Sequence, residues 1–411
     1  MKVNPEIFRA YDIRGEYGVD FDAVFAQRCG STFAAWLRAG PLIVGRDARS
    51  SSDEIAYALI DGAVHAGAHV IDIGVVSTPQ FTWAIRAVDA VGGVMVTASH
   101  NPGRMNGFKV IARRGEALEV VGGHMLRQVC DSHDHPHRTG GDIEHRDIIP
   151  AYADAVAYAA RWSGGLALQV ALDAPDAVRR VLERLGPIAP DHRLAARCDA
   201  DGDRIEFFDE GVPVPADLLV LLMTEQLGLH PVVFDGRFSR TVRERLNARS
   251  VPYFISRVGR LYLSLAMRHT GAALGGELSG HFYWREFGGM ESPELTLLRV
   301  YGIVQQSGRS LQELIAPYRI RQKSDEVSIP IRDAKDADAR IRILAERFAD
   351  AKLSRVDGLT VEYADWWGNV RRSNTEPVLR LVVEADTKDL LDQKVAEFRA
   401  LLGASEKKES P

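Results

Sequence analysis

Residues 42–74 read LIVGRDARSSSDEIAYALIDGAVHAGAHVIDIG, and this segment decides the fold class. The apolar run at residues 42–44 predicts a buried strand, and a helix is expected to begin at Ser52 or Asp53. Gly67 would end that helix, and residues 70–74 indicate a second strand. The helix would turn four apolar side chains inward: Ile55, Ala58, Leu59 and Ala63. Strand, helix and strand in alternation predict an α/β layer around a largely parallel sheet.

Length, charge and cysteine content limit the class of protein. A chain of 411 residues is too long for one hydrophobic core, so three or four domains are expected. The net charge of −5 gives no reason to expect nucleic acid or an anionic membrane as a partner. The three cysteines (Cys29, Cys130 and Cys198) lack metal-binding spacing and suit a reducing compartment. Residues 1–6 carry no signal-type apolar run and no segment approaches a membrane span, so we expect a cytoplasmic protein.

The stretch Thr97-Ala98-Ser99-His100-Asn101-Pro102 follows an apolar run at residues 92–96 that predicts a buried strand. Asn-Pro favours a turn, which places Ser99 where a strand ends and where its hydroxyl can face a cleft. A serine in this position is often no more than a capping residue in a polar turn. It becomes a phosphate carrier only when a cation and hydrogen-bond donors surround it.

Asp199, Asp201 and Asp203 alternate within five residues, and carboxylates this close repel one another unless a cation neutralises them. Oxygen ligands favour Mg²⁺ or Ca²⁺ over zinc. A calcium loop of the EF-hand type is excluded because Arg204 stands where glycine is required and residues 205–208 indicate a strand. The sequence therefore predicts a Mg²⁺ site that shares its ligands with a phosphate, the alternative being a solvated acidic turn.

Two later loops carry polar groups suited to a phosphorylated sugar. Glu277, Ser279 and His281 lie between glycines, and such a mixture of donors and acceptors suits vicinal sugar hydroxyls. The loop after residue 370 concentrates phosphate-binding donors at Arg371, Ser373, Asn374 and Thr375. A histidine-rich stretch matches no zinc spacing and indicates a hydrated linker: His133, His135, His137 and His145.

Four motifs in this order resemble those of the α-D-phosphohexomutase superfamily, closest to bacterial phosphomannomutase/phosphoglucomutase. They are residues 97–102, Asp199-x-Asp201-x-Asp203-Arg204, Gly276-Glu277-x-Ser279-Gly280-His281 and Arg371-x-Ser373-Asn374-Thr375-x-Pro377. The opening stretch at residues 8–15 is also similar to that subgroup. The resemblance implies three related α/β domains, the second shortened, and a C-terminal α+β domain around a central cleft. The expected boundaries are 1–140 for the phosphoserine-bearing domain, 141–213 for the metal loop, 214–322 for sugar recognition and 323–411 for phosphate binding.

The same resemblance implies a reversible transfer of phosphate between O1 and O6 of a hexose phosphate, with phosphoserine at Ser99 and a hexose 1,6-bisphosphate intermediate. Ser99 and the three aspartates would hold Mg²⁺, while Lys109, Arg14 and His281 would serve acid–base or phosphate-steering roles. Glu277 and Ser279 would hold sugar hydroxyls. The other substrate-binding residues would be Tyr11, Arg204, Arg257, Arg260, Arg371, Ser373, Asn374 and Thr375. The expected partner is a small phosphosugar, with the chain a monomer or weak homodimer.

Three features depart from the family pattern. Arg260 stands where the family often has histidine, and a guanidinium binds phosphate but cannot act as a base. The second domain lacks the stretch usually found between its first helix and the metal loop. Glu291-Ser292-Pro293 replaces an expected acidic pair and glycine.

Three other functions stay open at this point. Phosphoglucosamine mutase shares most of these motifs. A degenerate phosphosugar-binding protein would have little use for an intact Ser99 and three aspartates. A metal-dependent phosphatase is favoured only if the open second domain admits water to the phosphoserine.

Overall fold

The computed structural model describes residues 3–37, 40–131, 140–164, 167–189, 193–373 and 376–403. The chain forms two compact units. Unit 1 comprises Met1–Val214 and Ser279–Leu311, and unit 2 comprises Pro215–Leu278 and Gln312–Pro411. The four domain boundaries expected from the sequence stay a prediction. Within the described ranges, no helix combines the length and apolar character needed to cross a bilayer.

The first part of unit 1 is an α/β layer. In chain order its elements are β1 (Ile13–Glu16), α1 (Ala23–Leu37), β2 (Leu42–Arg46), α2 (Ser52–His65), β3 (His69–Val75), α3 (Thr78–Ala87), β4 (Gly92–Val96), β5 (Met105–Arg114), β6 (Ala117–Val120), α4 (Gly123–Asp131) and β7 (Asp142–His145). The sheet order is β1-β5-β4-β2-β3-β7, with β6 beside β5. Strands β4, β2, β3 and β7 are parallel, which confirms the predicted α/β class.

Helix α2 begins at Ser52, where the sequence predicted, and ends before Gly67. Acidic residues Asp53 and Glu54 in its first turn interact favourably with the helix dipole. The helix packs on α1 so closely that a Cβ at Gly62 would lie 1.8 Å from the Gln27 carbonyl oxygen. The apolar face of α2 and that of α1 thus close one side of the core beneath β2 and β4.

Two predictions for this region were wrong. The stretch at residues 8–15 has no regular apolar period and predicts a solvated loop, but it ends in β1, whose Ile13 is fully buried and pairs with Phe108 of β5. The histidine-rich linker lies partly at residues 132–139, outside the described residues, but Asp142–His145 forms β7. Strand β7 extends the parallel sheet because its backbone pairs with β3 from His69 to Asp72.

The second part of unit 1 is small. Its elements are α5 (Ile149–Ala160), β8 (Leu168–Gln169), β9 (Ala171–Asp173), α6 (Asp176–Leu185), β10 (Ile188–Ala189), β11 (Leu194–Cys198), β12 (Ile205–Asp209) and β13 (Val212–Val214). Strand β9, helix α6 and strand β11 form one parallel βαβ unit, and β12 and β13 add antiparallel strands. The apolar run at residues 166–172 predicts one strand, but the structure has two short strands, β8 and β9. The strand breaks because the chain passes at Val170 from pairing with β10 to pairing with β11.

The chain continues through α7 (Ala216–Leu227), β14 (Val232–Asp235), α8 (Arg240–Ala248), β15 (Tyr253–Ser256), α9 (Arg260–Thr270) and β16 (Leu274–Gly276), all in unit 2. Strand β14 pairs in parallel with β15 and with β16. Returning to unit 1, β17 (Phe282–Trp284) and β18 (Met290–Glu291) form an antiparallel pair, followed by α10 (Pro293–Ser307). Helix α10 is capped at its start by Ser292, whose hydroxyl accepts from the Leu295 amide.

The C-terminal part of unit 2 is α+β, as predicted. Its elements are α11 (Leu311–Ile315), β19 (Gln322–Lys323), β20 (Val327–Pro330), α12 (Ala334–Arg347), β21 (Lys352–Ser354), β22 (Leu359–Glu362), β23 (Trp366–Arg372), β24 (Val378–Ala385) and α13 (Lys388–Leu401). The strands are antiparallel in the order β19-β24-β23-β22-β21, with β20 beside β24. Phe348 and Phe398 stack on each other and both meet Trp366 edge-on in the core beneath this sheet.

The charged composition of residues 319–323 predicts a linker, but the stretch is ordered. Gln322 and Lys323 form β19 and pair with β24. The charges are paired rather than solvated, because the Lys323 ammonium lies 2.5 Å from Asp217 and Arg321 bridges Glu244 and Asp386. Ion pairs on both sides therefore hold the chain where composition suggested a flexible connection.

Candidate active site

Ser99 lies directly after β4 in a turn with an unusual backbone. Its φ of 54° is in the left-handed region, which residues other than glycine rarely adopt. Its amide donates to Thr97 Oγ1 at 2.9 Å, and its hydroxyl donates to Asp201 Oδ1 at 3.0 Å. The residue is only 3% exposed, so the turn aims a shielded hydroxyl at one specific carboxylate.

The acidic loop connects β11 to β12 and rests on the start of α3. Asp201 accepts the Thr78 amide at its carbonyl oxygen (2.9 Å) and the Thr78 hydroxyl at Oδ2 (2.8 Å). Gly202 has a φ of 65°, and a Cβ there would lie 2.8 Å from a methyl group of Val178. The loop can therefore pack this closely against Val178 of α6 only with glycine at this position.

Lys109, on β5, faces the acidic loop. Its ammonium donates to Asp201 Oδ2 at 2.6 Å and to Asp203 Oδ2 at 2.7 Å. All three side chains are at most 11% exposed, so water screens these ion pairs little. Lys109 thus neutralises part of the negative charge of the three aspartates. Its ammonium also lies beside Asp201, the carboxylate that accepts the hydrogen bond from the Ser99 hydroxyl.

Asp199 is the carboxylate of the triplet that receives least compensation. Its Oδ1 accepts the amides of Asp203 and Arg204 at 3.1 Å, but among the described residues its buried Oδ2 has no hydrogen-bond donor. The Arg204 Nε lies 3.6 Å from that oxygen. Burial, followed by the charges of Asp203 and Asp201, raises the pKa of Asp199 well above its ordinary value.

The three carboxylates can offer oxygen atoms within 4.8 Å of one another, as a metal site requires. A buried carboxylate oxygen without a donor is what a bound cation would satisfy, and an all-oxygen set suits a hard divalent ion. The residues present therefore fit Mg²⁺.

A second group of potential ligands adjoins the first: Asp203, His281 and Glu291 also bring ligand atoms within 4.8 Å. His281 Nε2 lies 3.4 Å from Asp203 Oδ1, and its Nδ1 lies 2.9 Å from the Ser279 hydroxyl. Glu291 is 1% exposed. The sequence flagged Glu291 only as a departure from a pattern, and its place beside His281 follows from the pairing of β17 with β18.

Arginines flank the Ser99 turn. Arg14, on β1, pairs with Asp12 at 2.7 Å and donates to Asn101 Oδ1 at 3.1 Å. Arg204 Nη2 donates to His100 Nδ1 at 3.2 Å. Burial and these two guanidinium groups lower the pKa of His100 to about 4, so this imidazole is neutral at physiological pH.

Tyr11, expected to contact substrate, lies in the bend that precedes β1 and is half-buried. The structure thus brings most of the predicted unit 1 residues to one place. They are Ser99, Lys109, Arg14, Asp199, Asp201, Asp203, Arg204, Ser279 and His281.

The other predicted residues belong to unit 2. Glu277 Oε1 accepts the Gly259 amide at 2.6 Å, and Arg260 begins α9 immediately after that glycine. Arg257 is exposed and donates to the Val356 carbonyl at 3.1 Å.

Arg371, at the end of β23, is 7% exposed and lies 3.4 Å from Glu326 Oε2 and 4.0 Å from Asp357 Oδ2. Ser373 is 9% exposed and accepts the Glu376 amide. Asn374 and Thr375 lie outside the described residues.

Known proteins are similar to this chain over nearly its whole length. Family models for phosphoglucomutase/phosphomannomutase match residues 5–122 (alpha/beta/alpha domain I), 216–319 (alpha/beta/alpha domain III) and 326–401 (C-terminal domain). A protein of Xanthomonas campestris described as "Phosphohexose mutases" is 31% identical over 96% of this chain and 98% of its own length. The chain belongs to the phosphohexomutase superfamily.

Other members of the superfamily agree. The phosphomannomutase/phosphoglucomutase of Pseudomonas aeruginosa is 29% identical over 97% of this chain and 96% of its own. The crystal structure of a phosphoglucomutase/phosphomannomutase family protein from Burkholderia thailandensis has a TM-score of 0.85 at 25% identity, covering 100% of this chain and 99% of that one. The Xanthomonas alignment spans 446 positions against 411 residues here, so at least 35 positions (446 − 411) have no residue of this phosphohexomutase opposite.

Sequence reasoning missed several residues that hold this phosphohexomutase site together. Thr78 receives the metal loop, and His100 accepts from Arg204. Asp47 and Arg49 lie behind the Ser99 turn. The only local signal was the polar stretch at residues 45–52 after β2, since the carboxyl ends of parallel strands are where α/β folds place their sites.

Proposed function

We propose that this phosphohexomutase moves phosphate reversibly between O1 and O6 of a hexose phosphate by way of a phosphorylated Ser99. The observation that carries this proposal is the hydrogen bond from the Ser99 hydroxyl to Asp201, within a carboxylate triplet that also binds Lys109. A buried serine hydroxyl beside several carboxylates, whose negative charge Lys109 partly neutralises, is suited to carry a phosphoryl group.

We further propose Mg²⁺ as the cofactor, held by Asp199, Asp201 and Asp203 together with the phosphate on Ser99. When bound, the metal supplies positive charge that stabilises the transferring phosphoryl group. The support is the buried Asp199 Oδ2, which has no donor among the described residues.

The chain's own groups then account for the proton and the phosphoryl group. In the first transfer a sugar hydroxyl oxygen bonds to phosphorus, the Ser99 Oγ–P bond breaks, and the hydroxyl proton passes to His281 or its neighbour Glu291. Lys109 gives a proton to the Ser99 Oγ that leaves and takes it back in the return transfer, when Oγ bonds to the phosphorus of the other phosphate of the hexose 1,6-bisphosphate. The sugar O–P bond at that phosphate then breaks, and the freed sugar oxygen takes up the proton held at His281 or Glu291. Lys109 donates hydrogen bonds to developing negative charge, and Arg14 orients the phosphate.

Unit 2 would supply the grip on the rest of the substrate. Arg371 and Ser373, with Asn374 and Thr375, would bind the phosphate that is not reacting. Glu277 in unit 2 and Ser279 in unit 1 would hold sugar hydroxyls. Arg257, Arg260, Arg204 and Tyr11 would complete substrate binding.

The proposed substrates are the 1- and 6-phosphates of mannose and glucose. The names of the Pseudomonas and Burkholderia relatives support them. The products would feed the synthesis of nucleotide sugars. A cytoplasmic monomer or weak homodimer stays the prediction for its state in the cell.

A direct test measures conversion of mannose 1-, glucose 1- and glucosamine 1-phosphate with Mg²⁺ and the matching bisphosphate, together with the intact mass of the protein. We expect isomerisation of mannose or glucose phosphate and one phosphoryl group on Ser99. Ser99→Ala should abolish both. The matched control Ser264→Ala removes another buried serine hydroxyl, which donates to the Leu261 carbonyl at 3.2 Å, and should change neither.

Other outcomes would point elsewhere. Turnover of glucosamine phosphate alone would identify a phosphoglucosamine mutase. Release of free phosphate without isomer would indicate a phosphatase. Binding of sugar phosphate without turnover or phosphorylation would overturn the proposal in favour of a binding protein.

A further inference from the structure

The polar stretch after β2 has no part in the function proposed above, yet it contacts the Ser99 turn more extensively than any group in the proposed chemistry. The Arg49 guanidinium donates to the carbonyl oxygens of Ser99, Asn101 (2.8 Å), Pro102 (2.8 Å) and Met105 (3.2 Å). Its side chain is only 8% exposed. One planar donor group therefore gathers the backbone of the whole turn.

Asp47 holds the turn from its other side. Its carboxylate accepts the Arg49 Nε at 2.9 Å, the Ser52 hydroxyl at 2.5 Å and the Thr97 hydroxyl at 2.7 Å. Thr97 Oγ1 in turn accepts the Ser99 amide at 2.9 Å. The amide and the carbonyl of Ser99 are thus both tied to the Asp47–Arg49 pair, one through Thr97 and one directly.

This double attachment explains the backbone of Ser99. A non-glycine residue in the left-handed region is strained and persists only when its surroundings impose that conformation. Arg49 and Thr97 impose it here, and the result is a hydroxyl directed at Asp201. Rotation of the turn by even a small amount would break that alignment.

We propose that Arg49 is a positioning residue for phosphoryl transfer at Ser99, acting through the four carbonyl groups that it holds. The inference rests on the proposed function, because it assigns Arg49 a role in that same reaction. Lysine cannot replace it: an ammonium matches the charge of Asp47 but cannot direct a planar fork of donors at several carbonyl oxygens.

Arg46 provides a matched control. It ends β2, its side chain is 9% exposed, and it too pairs with carboxylates, Asp53 at 2.5 Å and Asp72 at 2.8 Å. Arg46→Lys and Arg49→Lys therefore make the same chemical change in two buried ion pairs of the same loop region. Of these two arginines, Arg49 donates to the Ser99 turn, whereas the hydrogen bonds described for the Arg46 side chain go to Asp53 and Asp72.

The experiment compares the full chain, Arg46→Lys and Arg49→Lys with Mg²⁺, well below their melting temperatures. It follows phosphorylation of Ser99 by glucose 1,6-bisphosphate in a single turnover by intact mass, and then kcat and KM for glucose 1-phosphate. We expect Arg49→Lys to slow phosphorylation and kcat by about 100-fold, the scale of a small misplacement, with KM nearly unchanged. Arg46→Lys should retain the rates of the unaltered chain.

Equal rates for the two variants, or an effect of Arg49→Lys on KM alone, would overturn the inference. If the unaltered chain is not phosphorylated, the proposed function fails instead, and the two failures are distinguishable. Should Arg49→Lys not fold, Thr97→Val against Thr97→Ser tests the same attachment. Thr97→Ser keeps the hydroxyl and should keep the rate of Ser99 phosphorylation, whereas Thr97→Val should lower it. If both variants lower that rate, or if neither does, the proposed role of the turn is contradicted.

Discussion

Charge at the acidic loop is distributed unevenly, residue by residue. Asp201 and Asp203 share the Lys109 ammonium, whereas Asp199 relies on two backbone amides and a more distant guanidinium. The site without metal is therefore balanced at two carboxylates and strained at the third. We therefore expect different effects from substitutions of Asp199 and of Lys109.

Asp199→Asn should stabilise the metal-free protein. The amide keeps an oxygen for the two backbone donors and removes the charge that Asp201 and Asp203 repel. Because folding raises the pKa of Asp199, the ionised carboxyl destabilises the native state at pH above that raised pKa. The penalty fades as pH falls through it and is gone below the ordinary value near 3.8.

Thermal unfolding in EDTA should therefore show a gain of about 1–2 kcal/mol at neutral pH and none near pH 3.5. With Mg²⁺ present, the order should invert, because the unaltered chain gains binding energy that the variant lacks. A variant less stable than the unaltered chain in EDTA at neutral pH would contradict this account of Asp199.

Lys109→Gln should bind Mg²⁺ more tightly while losing activity. The ammonium and the metal both draw on Asp201 and Asp203, so its removal eliminates a competing charge a few ångströms from the cation. Calorimetric titration should show about a tenfold gain in affinity, and kcat should fall by about 100-fold or more. Unchanged affinity would mean that the ammonium moves aside without cost when the metal binds.

At the scale of elements, the contact between α1 and α2 is closed by glycines. A Cβ at Gly62 would lie 1.8 Å from the Gln27 carbonyl oxygen, and one at Gly30 would lie 1.8 Å from that of Leu59. Backbone cannot yield as a flexible side chain can, so the helices would have to separate.

Gly62→Ala should lower the free energy of unfolding by about 2 kcal/mol or more, measured by urea denaturation. Gly302, inside α10, has open space around its Cα and offers the matched control. Gly302→Ala should raise stability by about 0.5–1 kcal/mol, the usual gain of alanine in a helix interior. A gain of similar size in both would show that helix propensity, rather than the close contact with Gln27, governs the response at Gly62.

Elements defined by local patterns were predicted well, as α2 and β4 show. Their apolar spacing and flanking glycines depend on nearby residues alone. The predictions at residues 166–172 and 319–323 were wrong because pairing with distant strands and ion partners overrode the local composition. Strand β7 was not predicted, for the same reason: its composition is that of a polar linker, and its pairing with β3 makes it a strand.

At the scale of the whole molecule, the sequence predicted which residues form the candidate site but not which of them contact one another. The motifs identified Ser99 and the aspartates, but Asp201 meets Thr78 across 123 positions of sequence and Arg49 meets Asn101 across 52. No spacing within a motif encodes such contacts. The supporting residues of the site therefore emerged only with the fold.

The division into two units predicts separate responses to two ligands. Ser99 and the acidic triplet belong to unit 1, whereas Arg371 and Ser373 belong to unit 2. Hydrogen exchange should show that Mg²⁺ protects residues 97–102 and 199–204, and that inorganic phosphate without metal protects residues 371–373. Protection of the unit 2 loop by Mg²⁺ alone would contradict this assignment of ligands.

The 3% exposure of Ser99 has a consequence for time as well as for geometry. A phosphoryl group carried there would be sheltered from bulk water, whose attack is the reaction that would remove it between substrate molecules. Ser99 would then stay phosphorylated between substrate molecules. A single phosphorylation of the protein could therefore support many catalytic cycles. The lifetime of the phosphorylated form would be set by how seldom water reaches its phosphorus atom.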